Sequence, residues 1–220
     1  MKTTTSLVRS QLGSTRTDEA RDMSVENGRP DKRTLISEAA VEVFAEKGFH
    51  QARVSDISKR AGVADGTIYL YFKNKDDLLL SIFEDSMTLL VNGARDELSR
   101  ESCPLQKIRS FVGFHFKQVK ANRSVAEVLQ VELRLSNKFL KDYRPSKLWD
   151  YLGLLAEVIR EGQAIGVIRA EVDPFMQMWA LFGALDELGM QWVLARRRKI
   201  DLDVAASQVA ETFVRGLRAD

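Results

Sequence analysis

The chain has 220 residues, 45% of them hydrophobic and 29% charged, and its 33 basic and 31 acidic side chains leave a net charge of only +2. That balance excludes a polybasic coat for nucleic acid while leaving room for a local basic face. The single cysteine, Cys103, excludes an intrachain disulfide and a multi-cysteine zinc centre, and His50 and His115 are too few and too far apart for a His-rich metal site. No apolar run approaches the ~20 residues of a membrane-spanning helix, and Met1 to Arg9 lacks the apolar core of a secretory signal, so the expected compartment is the cytoplasm.

Residues 1–28 are rich in Ser, Thr, Arg and Asp, with apolar residues only singly placed. Such a composition cannot offset its own ordering entropy and reads as a mobile tail. Its Lys2, Arg9, Arg16 and Arg21 are either solvated or brush DNA. From Asp31 the pattern turns helical: Leu35, Ile36, Ala39, Ala40, Val43 and Phe44 recur at three- and four-residue spacing until Gly48 closes the run. Val54 to Ala61 predicts a two-turn helix with Ser55 as its N-cap. Gly62-Val63 makes a turn, and Asp65 to Phe72 a second short helix that starts at Ala64 or Asp65. From Lys75 to about Arg100 a long amphipathic run carries Leu78, Leu79, Ile82, Phe83, Met87 and Leu90 on one side.

Pro104 restarts the chain at a first-turn position where proline is tolerated. Helices are then predicted at roughly 105–121, 124–136, 144–164, 173–195 and 202–218, and only Gly166-Val167-Ile168 looks extended. The fold class is all-α: an N-terminal three-helix helix-turn-helix domain, residues 29–76, on a larger C-terminal helical bundle, residues 77–220, with about nine helices in all.

The stretch from Val54 to Lys75 has the parts of a DNA-reading helix-turn-helix: a short first helix, a glycine-containing turn and a second short helix. Ile57 and Ala61 pack inward, while Val63 and Ile68 lock the two helices together. Asp65, Gly66, Thr67, Leu70 and Tyr71 face outward, and small residues at the front of the second helix let its backbone approach base edges. Ser55 joins this DNA-facing set from the first helix, and Tyr71, Lys73 and Lys75 sit where they reach phosphates. Nine basic against six acidic side chains between Arg29 and Lys75 support this reading. The residues alone leave open a helical hairpin that packs on the bundle and touches no nucleic acid.

Gly62-Val-Ala-Asp-Gly-Thr-Ile-Tyr-Leu-Tyr-Phe-Lys-Asn-Lys75, with the preceding Ala39-Ala-Val-Glu-Val-Phe-Ala-Glu-Lys-Gly-Phe49, resembles the DNA-binding domain of the TetR family of repressors. The resemblance implies homodimers on a palindromic double-stranded operator and a C-terminal domain that binds a small effector and forms the dimer. It places Thr67 and Tyr69 through Tyr71 at recognition-helix contacts and Lys75 at a phosphate-contacting lysine. It leaves Asp65 and Gly66 at variable positions that tune operator choice. Further segments are similar to the branch of the family that regulates fatty-acid degradation in Gram-positive bacteria. They are His115-Phe116, Gln130 to Asn137, Glu161-Gly162, Phe182 to Glu187 and Trp192-Val193. That likeness implies a long-chain acyl-CoA effector whose binding releases the operator, with no cofactor and no metal.

In the C-terminal half, Phe111, Phe114, Met176, Met178, Trp179 and Phe182 supply the wall material of an apolar tunnel, or else ordinary core. The expected effector set is Phe111, Phe114, His115, Leu129, Leu133, Arg134, Leu155, Met176, Trp179 and Phe182. His115 is either a pocket wall or a hydrogen-bonded core histidine. Glu132 and Arg134 either form an ion pair or leave Arg134 for an anionic head group. Leu185, Leu188, Gly189, Trp192 and Val193, with Val204, Val209, Phe213 and Leu217, read as a dimer interface of the last two helices or as burial within one chain. Arg196 to Lys199 fit a solvated helix end. An enzyme would need a pair such as Cys103 with His115, but Cys103 has no activating neighbour, and no phosphate loop or serine elbow is present. The expectation is a non-enzymatic regulator. The alternatives are a repressor that answers another hydrophobic molecule and a helical adaptor without DNA binding.

Overall fold

In the computed structural model, which describes residues 31–132, 146–195 and 200–219, every regular element is helical. Helix α1 (Lys32–Lys47) buries Ile36, Ala39, Ala40, Val43 and Phe44 on one face, the spacing that the sequence shows, and ends where the Gly48 N–H donates to the Phe44 carbonyl. Helix α2 (Val54–Ala61) begins two residues earlier than a Ser55 cap requires. The Asp56 carboxylate instead accepts the Arg53 N–H at 3.1 Å, closing the first turn, so Ser55 is an exposed helical residue and not the N-cap. Gly62 follows in the left-handed region (φ 68°), a conformation that costs other residues more, and lets the chain turn into α3 (Asp65–Tyr71).

Helices α1 to α3 share a core of Phe44, Phe49, Ile57, Ile68 and Phe72. Arg60 of α2 forks onto Glu42 and Glu46 of α1 at 2.6 and 2.7 Å, and this guanidinium holds the Glu46 carboxyl below its usual range. Helix α4 (Lys75–Ser99) is opened by Asn74, whose side chain accepts the Asp77 N–H at 2.9 Å, while Asp77 accepts the Lys73 N–H at 2.9 Å. At 25 residues it spans about 37 Å. Leu78, Leu79 and Ile82 pack under the short helices, and Met87, Val91, Ala94 and Leu98 continue the same stripe into the bundle.

The bundle is completed by α5 (Pro104–Ala121), α6 (Arg123–Glu127), α7 (Ser146–Ala164), α8 (Pro174–Leu194) and α9 (Leu202–Leu217). Asp173 and Asp201 cap α8 and α9 through their carboxylates. The helix predicted over 124–136 is broken early, because α6 gives way to a π-helical turn, Val128–Glu132; the rest of that prediction lies outside the described residues. The extended Val167-Ile168 pairs with the chain end. The Arg169 N–H donates to Leu217 O at 2.9 Å and the Ala219 N–H to Val167 O at 3.1 Å, which ties the end of α9 to the turn after α7. The 1–28 tail, Leu133, Arg134 and the Arg196 to Lys199 cluster lie outside the described residues, and the proposed Glu132–Arg134 pair falls with them. No helix among the described residues is long and apolar enough to cross a membrane.

Candidate functional site

Two features follow from this packing: an exposed second helix of the helix-turn-helix, and a cavity in the bundle. On α3, Ile68 is the buried anchor, which turns its neighbours outward: Tyr69 is 57% exposed, Leu70 81% and Tyr71 40%. Three consecutive large side chains in water are costly unless something covers them. Gly66 is exposed, and a Cβ built there meets nothing within 4 Å, so nothing in the chain itself requires glycine. Thr67 is half-buried beside it. Asp65 is exposed, but its carboxylate accepts a hydrogen bond from the buried Ser58 hydroxyl and thereby links α2 to α3.

Lys75 behaves differently from the sequence expectation. Its ammonium turns inward onto the segment after α1, donating to the carbonyls of Phe49 (2.5 Å), Ala52 (2.9 Å) and His50 (3.3 Å), and lies 4.6 Å from the Phe49 ring centre. All three protons are engaged within the chain, so Lys75 acts in this structure as a clamp between α4 and the α1–α2 link, and not as an outstretched phosphate ligand. Lys59 and Lys73, by contrast, are exposed and carry no ion-pair partner among the described residues.

The cavity, of about 280 Å³, lies between α4, α5, the α6–π segment, α7 and α8. Phe83, Met87, Leu89 and Leu90 of α4 form one wall, and Val125, Ala126, Leu129 and Gln130 form another. His115, Gln118 and Val119 of α5 and its C-cap Asn122 face it, with Leu148 and Tyr151 from α7 and Phe182 and Asp186 from α8. Of the expected effector residues, this brings together His115, Leu129 and Phe182. Phe111 and Leu155 are fully buried behind the lining; the Phe111 ring packs on Tyr151 at 4.8 Å. Phe114 instead lies against Gly93, where an added Cβ would come within 2.6 Å of its ring.

Met176 and Trp179 are surface residues, 64% and 36% exposed. The reason is rotational: the buried stripe of α8 runs through Met178, Leu181, Leu185, Gly189 and Val193, and Met176 stands two residues, or about 200°, from Met178. Because α8 is apolar on most sides, periodicity does not distinguish its faces. Trp179 instead joins an outer aromatic group, with Trp149 at 5.5 Å and Phe175 at 6.5 Å. Residues that the sequence reading missed include the α4 wall, whose Phe83, Met87 and Leu90 spacing was visible. Another is Gln130, a lone amide in the apolar run Val128 to Val131.

His115 is 7% exposed, and its Nδ1 lies 3.1 Å from the Tyr151 hydroxyl. Burial alone pushes its pKa down to about 4, so the ring is neutral at physiological pH, and burial likewise holds the Tyr151 phenol protonated. His115 is therefore both hydrogen-bonded core histidine and cavity wall.

A helix-turn-helix with an exposed second helix, joined through one long helix to a bundle with an internal cavity, defines the class of ligand-responsive DNA-binding regulators. Residues 36–82 match the family model described as "Bacterial regulatory proteins, tetR family", and residues 83–216 match "YsiA-like protein, C-terminal region". The chain is 38% identical over 182 residues, 83% of its length and 93% of the relative's, to the fatty acid metabolism regulator protein of Bacillus subtilis. Among solved structures it is similar to the fatty acid degradation regulator FadR of Bacillus halodurans, with 40% identity and TM-score 0.79 over 88% of this chain and all of that one. FadR of Bacillus subtilis in complex with stearoyl-CoA gives 37% identity and TM-score 0.77 over 84% of this chain and 99% of that one. The chain belongs to the TetR family of transcriptional regulators.

Two outcomes follow. Lys73→Ala should reduce the salt dependence of DNA binding by a slope of ~1, as loss of one phosphate contact does. Lys75→Met should instead lower the denaturation midpoint by the equivalent of about 1–3 kcal/mol, since it strips the donor from three carbonyls; a salt titration and a urea melt separate the two. For His115 the folded pKa lies below the usual 6.5, so the unfolded chain binds the proton more readily. Its contribution is complete above pH 6.5 and is lost as pH falls towards 4, by at most roughly 3 kcal/mol. The stability difference between the protein and His115→Phe should therefore change across that window and stay flat from pH 7 to 8.

Proposed function

We propose that the protein is a transcriptional repressor of fatty-acid degradation genes that a long-chain acyl-CoA releases from its operator. One observation carries this reading: the walls of the cavity are the supports of the reading head. Helix α1 packs against α4, against α6 and against the π turn, and both the α4 and the α6–π segments line the cavity. A ligand that fills the cavity and moves either wall therefore moves α1. The similarity to a FadR solved with stearoyl-CoA and to a fatty acid metabolism regulator supports the choice of ligand.

In this reading, residues 29–76 read a palindromic operator through Gly66, Thr67, Tyr69, Leu70 and Tyr71, with Ser55 and Asp65 at the edge of the contact. Residues 77–220 hold the effector and a second copy of the chain, and the regulator acts in the cytoplasm. Two reading heads must reach successive major-groove faces about 34 Å apart, which one protomer cannot do. Dimerisation falls to α8 and α9, but not through every residue that the sequence suggested. Leu185, Gly189, Val193 and Leu217 are buried within the chain, Leu188, Trp192, Val209 and Phe213 are half-buried, and only Val204 is largely exposed. The outward stripe of α8 is Met176, Ala180, Gly183, Glu187, Gln191 and Leu194.

An effector shifts such a protein only by its differential affinity for the two arrangements. A long acyl chain supplies this, because each buried methylene contributes ~0.8 kcal/mol. Titrated against a fluorescent operator, acyl-CoAs should release DNA with potency rising from 8 to 16 carbons, free fatty acids should be weaker, and coenzyme A alone should do little. Equal release by short and long chains would remove the acyl-CoA reading, and release by a different hydrophobic molecule would replace it.

A further inference from the structure

The cavity is apolar along most of its wall, yet besides Tyr151 two of its lining residues are polar and more than nine-tenths buried. His115 is 7% and Gln130 8% exposed, and both the His115 Nε2 and the Gln130 Oε1 have no hydrogen-bond partner among the described residues. The other polar lining residues, Ser86, Gln118, Asn122 and Asp186, are partly or fully exposed. Leaving a buried donor or acceptor unpaired forfeits its full hydration, so such a pair is retained where something satisfies it.

The chemistry of the pair is fixed by its neighbours. The Tyr151 hydroxyl is the only partner of the His115 Nδ1 among the described residues. If the phenol donates to Nδ1, one donor remains, the Nε2–H. If Nδ1–H donates instead, the phenolic proton and the Nε2 lone pair are both stranded in the interior. The first arrangement strands fewer groups, so the unpaired group of His115 is an Nε2–H donor buried in the cavity wall. Gln130 sits in the π turn opposite Gly189, where an added Cβ would lie 2.7 Å from its Nε2; the missing side chain makes room for the amide, with the nitrogen towards Gly189 and the oxygen unpaired. A donor and an acceptor in one apolar cavity are matched by a single group that both accepts and donates, a hydroxyl. His115 also lies seven residues before the exposed Asn122 that caps α5, so along that helix it is about 10 Å from this exposed polar lining residue.

We propose that His115 and Gln130 form a specificity site for a hydroxyl carried in the middle of the effector's alkyl chain, so that mid-chain hydroxylated acyl thioesters are preferred ligands. This rests on the acyl-thioester reading above. Calorimetry on the DNA-free protein with octadecanoyl-CoA and its 3-, 10- and 12-hydroxy derivatives tests both. At least one of the 10- and 12-hydroxy chains should bind about tenfold or more tightly than the plain chain, and the 3-hydroxy chain should show no such gain. In His115→Phe and in Gln130→Leu the ratio should fall to one, and Gln130→Leu leaves the His115–Tyr151 contact in place should the first variant fold poorly. Binding of the plain chain with no gain from a mid-chain hydroxyl, or a gain that survives both substitutions, overturns this proposal alone. Failure of all four chains to bind overturns the acyl-thioester reading together with it.

Discussion

Much of the molecule depends on where one ammonium group is placed. A lysine as the first residue of a helix faces the positive end of that helix's own dipole, which the acidic pair Asp76 and Asp77 offsets. Lys75 gains in return three carbonyl oxygens that follow α1, where the chain leaves a helix and its acceptors lack partners. The contact fastens the start of α4 to the link between α1 and α2. Arg33 adds a second tie from α1 to α4, pairing with Asp85 at 2.8 Å and lying over Phe72. Because α4 is a continuous 25-residue helix, a tilt imposed on its middle is delivered to the reading head.

The middle of α4 is where the cavity begins. Phe83 and Met87 are buried at its edge and Leu89 is 74% exposed at its rim, so the same helix changes from tightly packed to cavity-facing within two turns. The α6–π segment offers the second path. It touches α1, and the π turn departs from the regular helical ladder at Gln130, where the amide enters the cavity wall. Arg123 at the front of α6 donates to Val193 O at 2.7 Å and lies over the Trp192 ring, anchoring that end to α8. That wall is thus held at its Arg123 end and leaves the regular helical ladder at Gln130.

The sequence showed the helices of the reading head well, because Ile36 to Phe44 and Ile57 to Ile68 keep a clean apolar spacing and Gly62 marks the turn. The outward set on α3 was legible for the same reason: one buried Ile68 fixes the direction of its neighbours. The inward turn of Lys75 was not legible, because a charged side chain gives no periodic signal and its partners are backbone carbonyls 23 to 26 positions away. The cavity was only partly legible. Met176 and Trp179 sit on a helix that is apolar on most sides, so composition suggested a wall where rotation about the axis places surface. Phe111 and Leu155 were expected in the tunnel wall but are buried behind the lining, because nothing in spacing separates a residue that lines a space from one that closes it. Gln130 left a signal, an amide among Val128, Leu129 and Val131, that is readable only once burial is known.

In the proposed function the cavity and the reading head are two sites of one equilibrium. Linkage then requires reciprocity: if hexadecanoyl-CoA weakens operator binding by some factor, the operator must weaken hexadecanoyl-CoA binding by the same factor. The most direct measurement is the affinity of the ligand for the free protein and for the protein saturated with operator, at one salt concentration. Ligand binding should be weaker on DNA, by the factor found in the operator titration. Equal affinity in the two states would contradict it.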